Sequence, residues 1–232
     1  MPATTTHIPP TDCRLIELRQ YTLHPGQREV LVELFEREFV ETQEAVGITV
    51  MGQFRDLDNA DRFTWLRGFR DMAARLAGLS AFYGGPTWQA HRKAANATMV
   101  DSDNVLLLRP AWPGAGMSMA GRSRAVPGAT ALPAGLLEVC IFHLHEPAVA
   151  ELLDLCRSDA PALAWYVTEP GPNNFPRLPV REGEHVLVRL AMLGAPVARD
   201  VEGEAPPDLA RWLARPIECL HLQPTVRSAL HA

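Results

Sequence analysis

The sequence is poor in the features that usually announce a chemistry. No apolar run is long enough to cross a bilayer, and the Thr/Pro-rich first dozen residues carry no signal-peptide pattern. Net charge is only −5, so no basic field for nucleic acid is expected. Cysteine is scarce: Cys13, Cys140, Cys156 and Cys219 stand far apart, with no CxxC pair to suggest zinc. Four thiols in 232 residues suit a reducing cytoplasm better than a disulfide framework. There is no GxSxG, P-loop, dinucleotide fingerprint or HExxH.

What is present is a repeat. Leu15 to Leu34, LIELRQYTLHPGQREVLVEL, reads as a strand, a Pro-Gly turn and an amphipathic helix. A degenerate copy, LLEVCIFHLHEPAVAELLDL, returns 121 residues later at Leu136 to Leu155. Six of the twenty aligned pairs are identical, among them Glu17/Glu138 and His24/His145.

In chain order the first copy predicts a strand over 14–22, a helix to about Ala45 and strands over 48–55 and 62–69. Helices follow over about 71–83, with Met72, Leu76 and Leu79 inward, and over 86–98. A turn at 101–104 then leads to a short strand over 105–109. That order is βαββαβ, the ferredoxin-like unit. The copy predicts the same plan with shorter parts. The expected organisation is a flexible arm at 1–13, a unit at 14–110, a Gly/Pro/Ala/Ser-rich linker at 111–135, a second unit at 136–224 and a tail at 225–232. The expected fold class is α+β: two tandem ferredoxin-like units packed sheet to sheet, an intramolecular dimeric α+β barrel.

The face of the first sheet assigned to the space between the units carries Glu17, Arg19, Tyr21, Phe63, Trp65, Arg67 and Phe69. The Ile16/Leu18 face is assigned to the helices. Leaving such aromatics in water would forfeit on the order of 2 kcal/mol each, so a second sheet is expected to cover them and enclose a small-molecule cavity.

The run IELRQYTLHPGQ, the strand RFTWLRGF and the following FYGGPTWQAHRKAANATM resemble the NIPSNAP family over about residues 14–110. The resemblance implies membership of the dimeric α+β barrel superfamily. Its relatives include small cofactor-independent monooxygenases, EthD-like proteins, chlorite dismutases and muconolactone isomerases. It implies a ferredoxin-like unit paired face to face and no particular reaction.

Alternation projects Glu17, Arg19, Tyr21, Trp65 and Arg67 together. Arg19 and Arg67 would hold a carboxylate, enolate or phenolate, Tyr21 or Glu17 would move a proton, and Trp65 would stack a ring. Glu17, Tyr21 and Arg67 are thus the catalytic candidates, and Arg19 and Trp65 the substrate-binding ones. The competing reading is a buried Glu-Arg network that sets sheet register. In the copy, Arg19 becomes Cys140 and Tyr21 becomes Phe142, so the polar cluster belongs to the first unit. His143, His145, His185 and His221 form a weaker metal or haem candidate, and no metal is expected. His91 on the Trp88–Asn96 helix reads better as a surface or dimer-contact residue than as a base. Cys140 reads as a buried, inert thiol.

The expected function is a cofactor-independent oxygenase, isomerase or cyclase acting on an aromatic or enolisable metabolite in the inter-sheet cavity. The alternative is a ligand-binding or scaffold protein with a closed cavity. No cofactor, nucleic acid or membrane partner is expected, and any homodimer would form through outer surfaces.

Overall fold

Strand β2, Leu15–Leu23, lies at the middle of the first half's sheet, between β4 (Arg62–Phe69) and β5 (Met99–Pro110). It belongs to a computed structural model that describes residues 5–7, 13–157, 162–194 and 207–232. With β3 (Thr49–Asp56), the first half runs in the order β3-β4-β2-β5. The second half contributes β7 (Leu136–Leu144), β8 (Ala164–Thr168), β9 (His185–Leu193) and β10 (Glu218–Pro224), in the order β8-β9-β7-β10. In both halves the second strand stands at one end, then the third, the first and the fourth. That is the ferredoxin-like order.

The halves join into one closed antiparallel barrel through two short seams. At one, Leu222–Pro224 pairs with Asp56–Phe54; at the other, Leu108–Pro110 pairs with Thr168–Tyr166. Each seam joins the last strand of one half to the second strand of the other. The remaining pair, β1 (Thr5–His7) with β6 (Ser123–Ala125), makes a separate two-stranded ribbon.

The barrel encloses apolar side chains from both halves. Ile16, Leu18, Leu66 and Leu106 meet Val139, Ile141, Val188 and Leu220, all 3% exposed or less. An eight-stranded barrel is just wide enough for side chains to fill its interior. The expected assignment of faces is therefore inverted. Ile16 and Leu18 point into the barrel, while Glu17, Arg19, Tyr21, Trp65 and Arg67 point outward, beneath the helices. The physical reason is complementary bulk. The narrow lumen takes mostly aliphatic side chains, with Phe54 and Tyr166 among them, whereas the helix layer packs Phe35 on Phe63 and Trp65 and gathers Phe39, Phe82 and Trp88 beside it.

That layer begins with α1 (Arg28–Leu34), which passes through a π-helical turn, Phe35–Phe39, into α2 (Val40–Glu44). The π turn is bracketed by Phe35 and Phe39, both buried in the sheet–helix core. Gly47, at φ +82°, takes the left-handed conformation that ends the segment. Helix α3 (Met72–Gly84) is capped by Asp71, whose carboxylate accepts from the Ala74 amide at 2.7 Å. Pro86 then opens α4 (Pro86–Asn96). Among the described residues the second half is covered by α5 (Ala150–Arg157) and the single turn α6 (Pro207–Ala210).

Other expectations shift in detail. Asp101–Asn104, expected as a turn, lies inside β5, where the pairing with β2 slips between Gln20 and Leu23. Leu76, expected inward on α3, is exposed, and its neighbour Arg75 is buried instead. Residues 111–135, expected to lack a core, send Met117 and Met119 into the barrel core, and the Met117 amide donates to the Tyr166 hydroxyl. The expected tail adds Ala229 and Leu230 to the same core. Of the expected arm, residues 1–4 and 8–12 lie outside the described residues, and Cys13 packs in the barrel core.

Candidate functional site

Strand alternation and register bring the five sequence candidates together. Facing pairs are Glu17 with Arg67, Arg19 with Trp65 and Tyr21 with Phe63. Glu17 is fully buried and accepts from three guanidinium groups. Arg19 Nη1 and Arg67 Nε reach its Oε2 at 2.6 and 2.7 Å, and Arg75 Nε reaches Oε1 at 2.7 Å. Among the described residues, Glu17 is the one carboxylate ion-paired with these arginines, so the cluster holds two positive charges in excess. The Arg67 guanidinium lies 5.0 Å from the Trp65 ring centroid and that of Arg19 lies 5.7 Å from it, so the indole face shares in holding both cations.

The helices and the second half complete the cluster. Arg75 comes from α3, two turns before Tyr83. Its Nη1 donates to Asn173 Oδ1 at 3.0 Å and to Asn174 Oδ1 at 2.7 Å. Both asparagines belong to the β8–β9 connection, which the Asn174 side chain also ties to the Met72 carbonyl at 2.6 Å. A loop of the second half thus lies across the first half's helix face. Arg67 Nη1 reaches Gln43 Oε1 at 3.3 Å and the Tyr83 hydroxyl at 3.4 Å.

Burial by itself would raise the Glu17 carboxyl pKa. Arg67, Arg19 and Arg75 outweigh it and hold the group far below the usual carboxylate range. Glu17 therefore stays ionised at neutral pH with both oxygens engaged. It anchors the arginines, and the expected proton-moving role does not suit it. Tyr21 differs. Burial pushes its phenol up against the opposing pull of Arg19, so it remains protonated and accepts from Arg19 Nε at 2.9 Å.

Beside this cluster is an open cleft of about 310 Å³. Arg19, Tyr21, Tyr83 and Trp88 form its inner wall, with Arg92 and Arg177 exposed at the mouth. A crevice of about 30 Å³ continues inward to Trp65 and Phe35. Arg19 and Tyr21 thus border the cleft and Trp65 borders only the crevice. Glu17 and Arg67 support it from behind without lining it. Larger hollows of about 510 and 920 Å³ lie over the β5–β8 seam and beside residues 110–120, and neither is lined by a buried ionised side chain.

The histidine candidates do not assemble. His143 sits between Arg215 and Glu218, with Nδ1 2.8 Å from Arg215 Nη2, while His221 pairs with Asp58. Among the described residues no group of three or more His, Cys, Asp and Glu side chains is placed to hold a metal ion. His91 pairs with Glu38 at 3.4 Å and does not line the cleft.

Sequence reasoning missed Arg75, Tyr83, Asn173, Asn174 and Arg177. Only Arg75 carried a signal. It recurs with Leu79 and Phe82 on the buried stripe of α3, where an arginine needs a partner.

The NIPSNAP family model matches residues 16–112, the βαββαβ half that holds the cleft. Over those residues the chain is similar to NIPSNAP domains. No curated protein matches the chain. Solved structures resemble it along nearly its whole length. A candidate monooxygenase from Fusobacterium nucleatum is 8% identical with a TM-score of 0.54, the match covering 100% of this chain and 98% of that one. One from Lactobacillus acidophilus NCFM is 12% identical at TM-score 0.53, covering 94% and 97%. An anthrone oxidase-like protein is 12% identical at 0.52, covering 99% of each chain. At these identities the likeness is one of fold: the first and second halves together make a closed α+β barrel. Among the described residues no helix is long and apolar enough to cross a membrane.

Proposed function

We propose that this NIPSNAP-domain protein binds a small anionic metabolite, aromatic or enolisable, in the cleft between the sheet and helices of its first half, and acts on it there. The observation that carries this reading is the charge imbalance. Three buried guanidiniums share one carboxylate immediately behind an open, aromatic-walled cleft. An anion bound there would offset part of the excess in a poorly solvated setting, where charge–charge attraction is strong.

Arg19 would bind the carboxylate, enolate or phenolate. Tyr21, kept protonated, would donate its hydroxyl to the same oxygen and stabilise charge as it develops. Glu17 and Arg67 would position Arg19, and Trp65 would receive an apolar edge of the ligand in the crevice. An oxygenase, isomerase or cyclase of this kind would work through such an anion. A homodimer, if formed, would use outer surfaces, because the barrel closes within one chain. The duplication of one unit and a cytoplasmic location are further parts of this reading.

The second reading, a scaffold, is favoured by the filled lumen and by the Glu17–Arg67 pair. A thermal-shift screen with aromatic carboxylates and polyketide-like phenols separates the two. At saturating ligand the melting point should rise by several degrees. Arg19→Gln and Tyr21→Phe should each remove most of that rise, and a neutral aromatic alcohol should produce none. A shift that persists unchanged in Arg19→Gln moves the ligand elsewhere, and no shift across the panel favours the scaffold.

A further inference from the structure

The second half has its own unusual feature at the matching place. Cys140 holds the position on β7 that Arg19 holds on β2, and it faces Cys219 directly across the β7–β10 pairing. The two sulfurs are 2.9 Å apart. Cys140 is 8% exposed under Phe142, Trp165 and Leu187, whereas Cys219 is partly open to solvent. On the other side of Cys140, β9 presents Arg189, which is held by Glu138 at 2.9 Å.

We propose that Cys140 and Cys219 form a two-electron oxidation site, in which hydroperoxides convert the facing thiols to a reversible cross-strand disulfide. Register supplies the geometry. Directly paired strand positions bring Cα atoms within the separation a disulfide spans, and the sulfurs need close only to about 2.05 Å. Exposure supplies the order of events. Cys219, the sulfur a solute can reach, attacks the peroxide as thiolate, becoming a sulfenic acid and releasing hydroxide. Cys140 then attacks the Cys219 sulfur. The S–S bond forms, the S–O bond breaks, and the oxygen leaves as water with the Cys140 proton. Two thiols and one hydrogen peroxide give one disulfide and two waters, with sulfur oxidised and peroxide oxygen reduced. Cys140 suits the resolving role, because the adjoining Cys219 thiol and burial both keep it protonated until that step.

The bond would tie down the last strand. β10 pairs with β7 along Glu218–Leu222 and closes the barrel on β3 through only three residue pairs. Oxidation would therefore staple the strand that completes the barrel.

The test treats the full chain with hydrogen peroxide at a few equivalents, alkylates the remaining thiols and maps peptides by mass spectrometry. The expected product carries two alkyl groups rather than four, has Cys140 linked to Cys219 and Cys13 and Cys156 alkylated, and reaches four alkylated cysteines after dithiothreitol and a second alkylation. Its melting point should rise by roughly 5–10 °C, a rise absent in Cys219→Ser. A linkage through Cys156, or Cys219 oxidised to sulfinic acid while Cys140 stays alkylatable, overturns the proposal. So does an intact dithiol after peroxide treatment that oxidises a free thiol control.

Discussion

The two halves of the barrel share a strand order and differ in what lies on the helix side of their sheets. In the first half Glu17 anchors Arg19, Arg67 and Arg75, and the sheet is covered by α1 to α4 and by the β8–β9 loop. In the second half Glu138 pairs with Arg189, and the neighbouring positions are Cys140 and Phe142, under one two-turn helix and one single turn among the described residues. Inside the barrel the difference vanishes, since both halves supply branched aliphatics to one core. Two sheets of the same topology can therefore be alike where they face each other and diverge where each faces its own helices. The inner faces must fit one shared lumen. The outer faces answer only to local cover, so one can keep a charged cluster with a cleft while the other holds the Glu138–Arg189 pair among apolar side chains.

Substitutions on the outer faces should expose this asymmetry most strongly. Glu17→Gln leaves three buried cations without their carboxylate and should cost about 3–5 kcal/mol in urea unfolding. Glu138→Gln should cost distinctly less, about 1–3 kcal/mol. Equal losses would mean the halves are more alike than their contacts indicate. On the inner face the halves should respond alike. Leu18→Ala and Ile141→Ala should each cost about 2–5 kcal/mol, because both open a cavity in the same core. A cheap substitution in either half would argue against a filled lumen.

Acid should sharpen the contrast further. Glu17 has its folded pKa depressed, so its contribution is fully present above the unfolded-state value of about 4.3. As pH falls below that, the unfolded chain binds a proton that the native state refuses. Stability is then lost progressively as pH drops toward the depressed folded value. Urea midpoints followed from pH 7 to pH 3 should fall less steeply below pH 5 in Glu17→Gln than in the wild type. The smallest effect is expected of Tyr21→Phe, about 1 kcal/mol in unfolding. That substitution removes one hydroxyl and leaves Arg19 paired to Glu17. Its larger consequence should be loss of the ligand-induced melting shift.

Much of the architecture was legible from local pattern. The strand Arg62–Phe69, the Asp71 and Pro86 helix starts and the Gly47 stop follow from alternation, capping and left-handed backbone preference, which act within a few residues. The co-location of Glu17, Arg19, Tyr21, Trp65 and Arg67 was legible too, because period-two alternation and hairpin register are local rules. The direction in which that face points was not. Both faces of β2 are mostly buried, so polarity gives no sign of which one meets the helices. Arg177 and the Asn173/Asn174 contacts were out of reach for another reason. They come from a loop about a hundred residues further along the chain, and no local rule says where such a loop lands.

Taken alone, then, the amino-acid order determined two βαββαβ units and a cluster of charged and aromatic side chains on one strand face of the first. Tertiary packing decided that the lumen would be filled mostly with aliphatics, that the cluster would lie beneath the helices with Arg75 added, and that a second-half loop would wall the cleft. The physical reason is that strand periodicity divides residues into two faces without ranking them. The ranking comes from volume: a lumen eight strands wide is filled mostly by aliphatic side chains, with Phe54 and Tyr166 among them, and the larger group of aromatics and the arginines pack where helices can adjust around them.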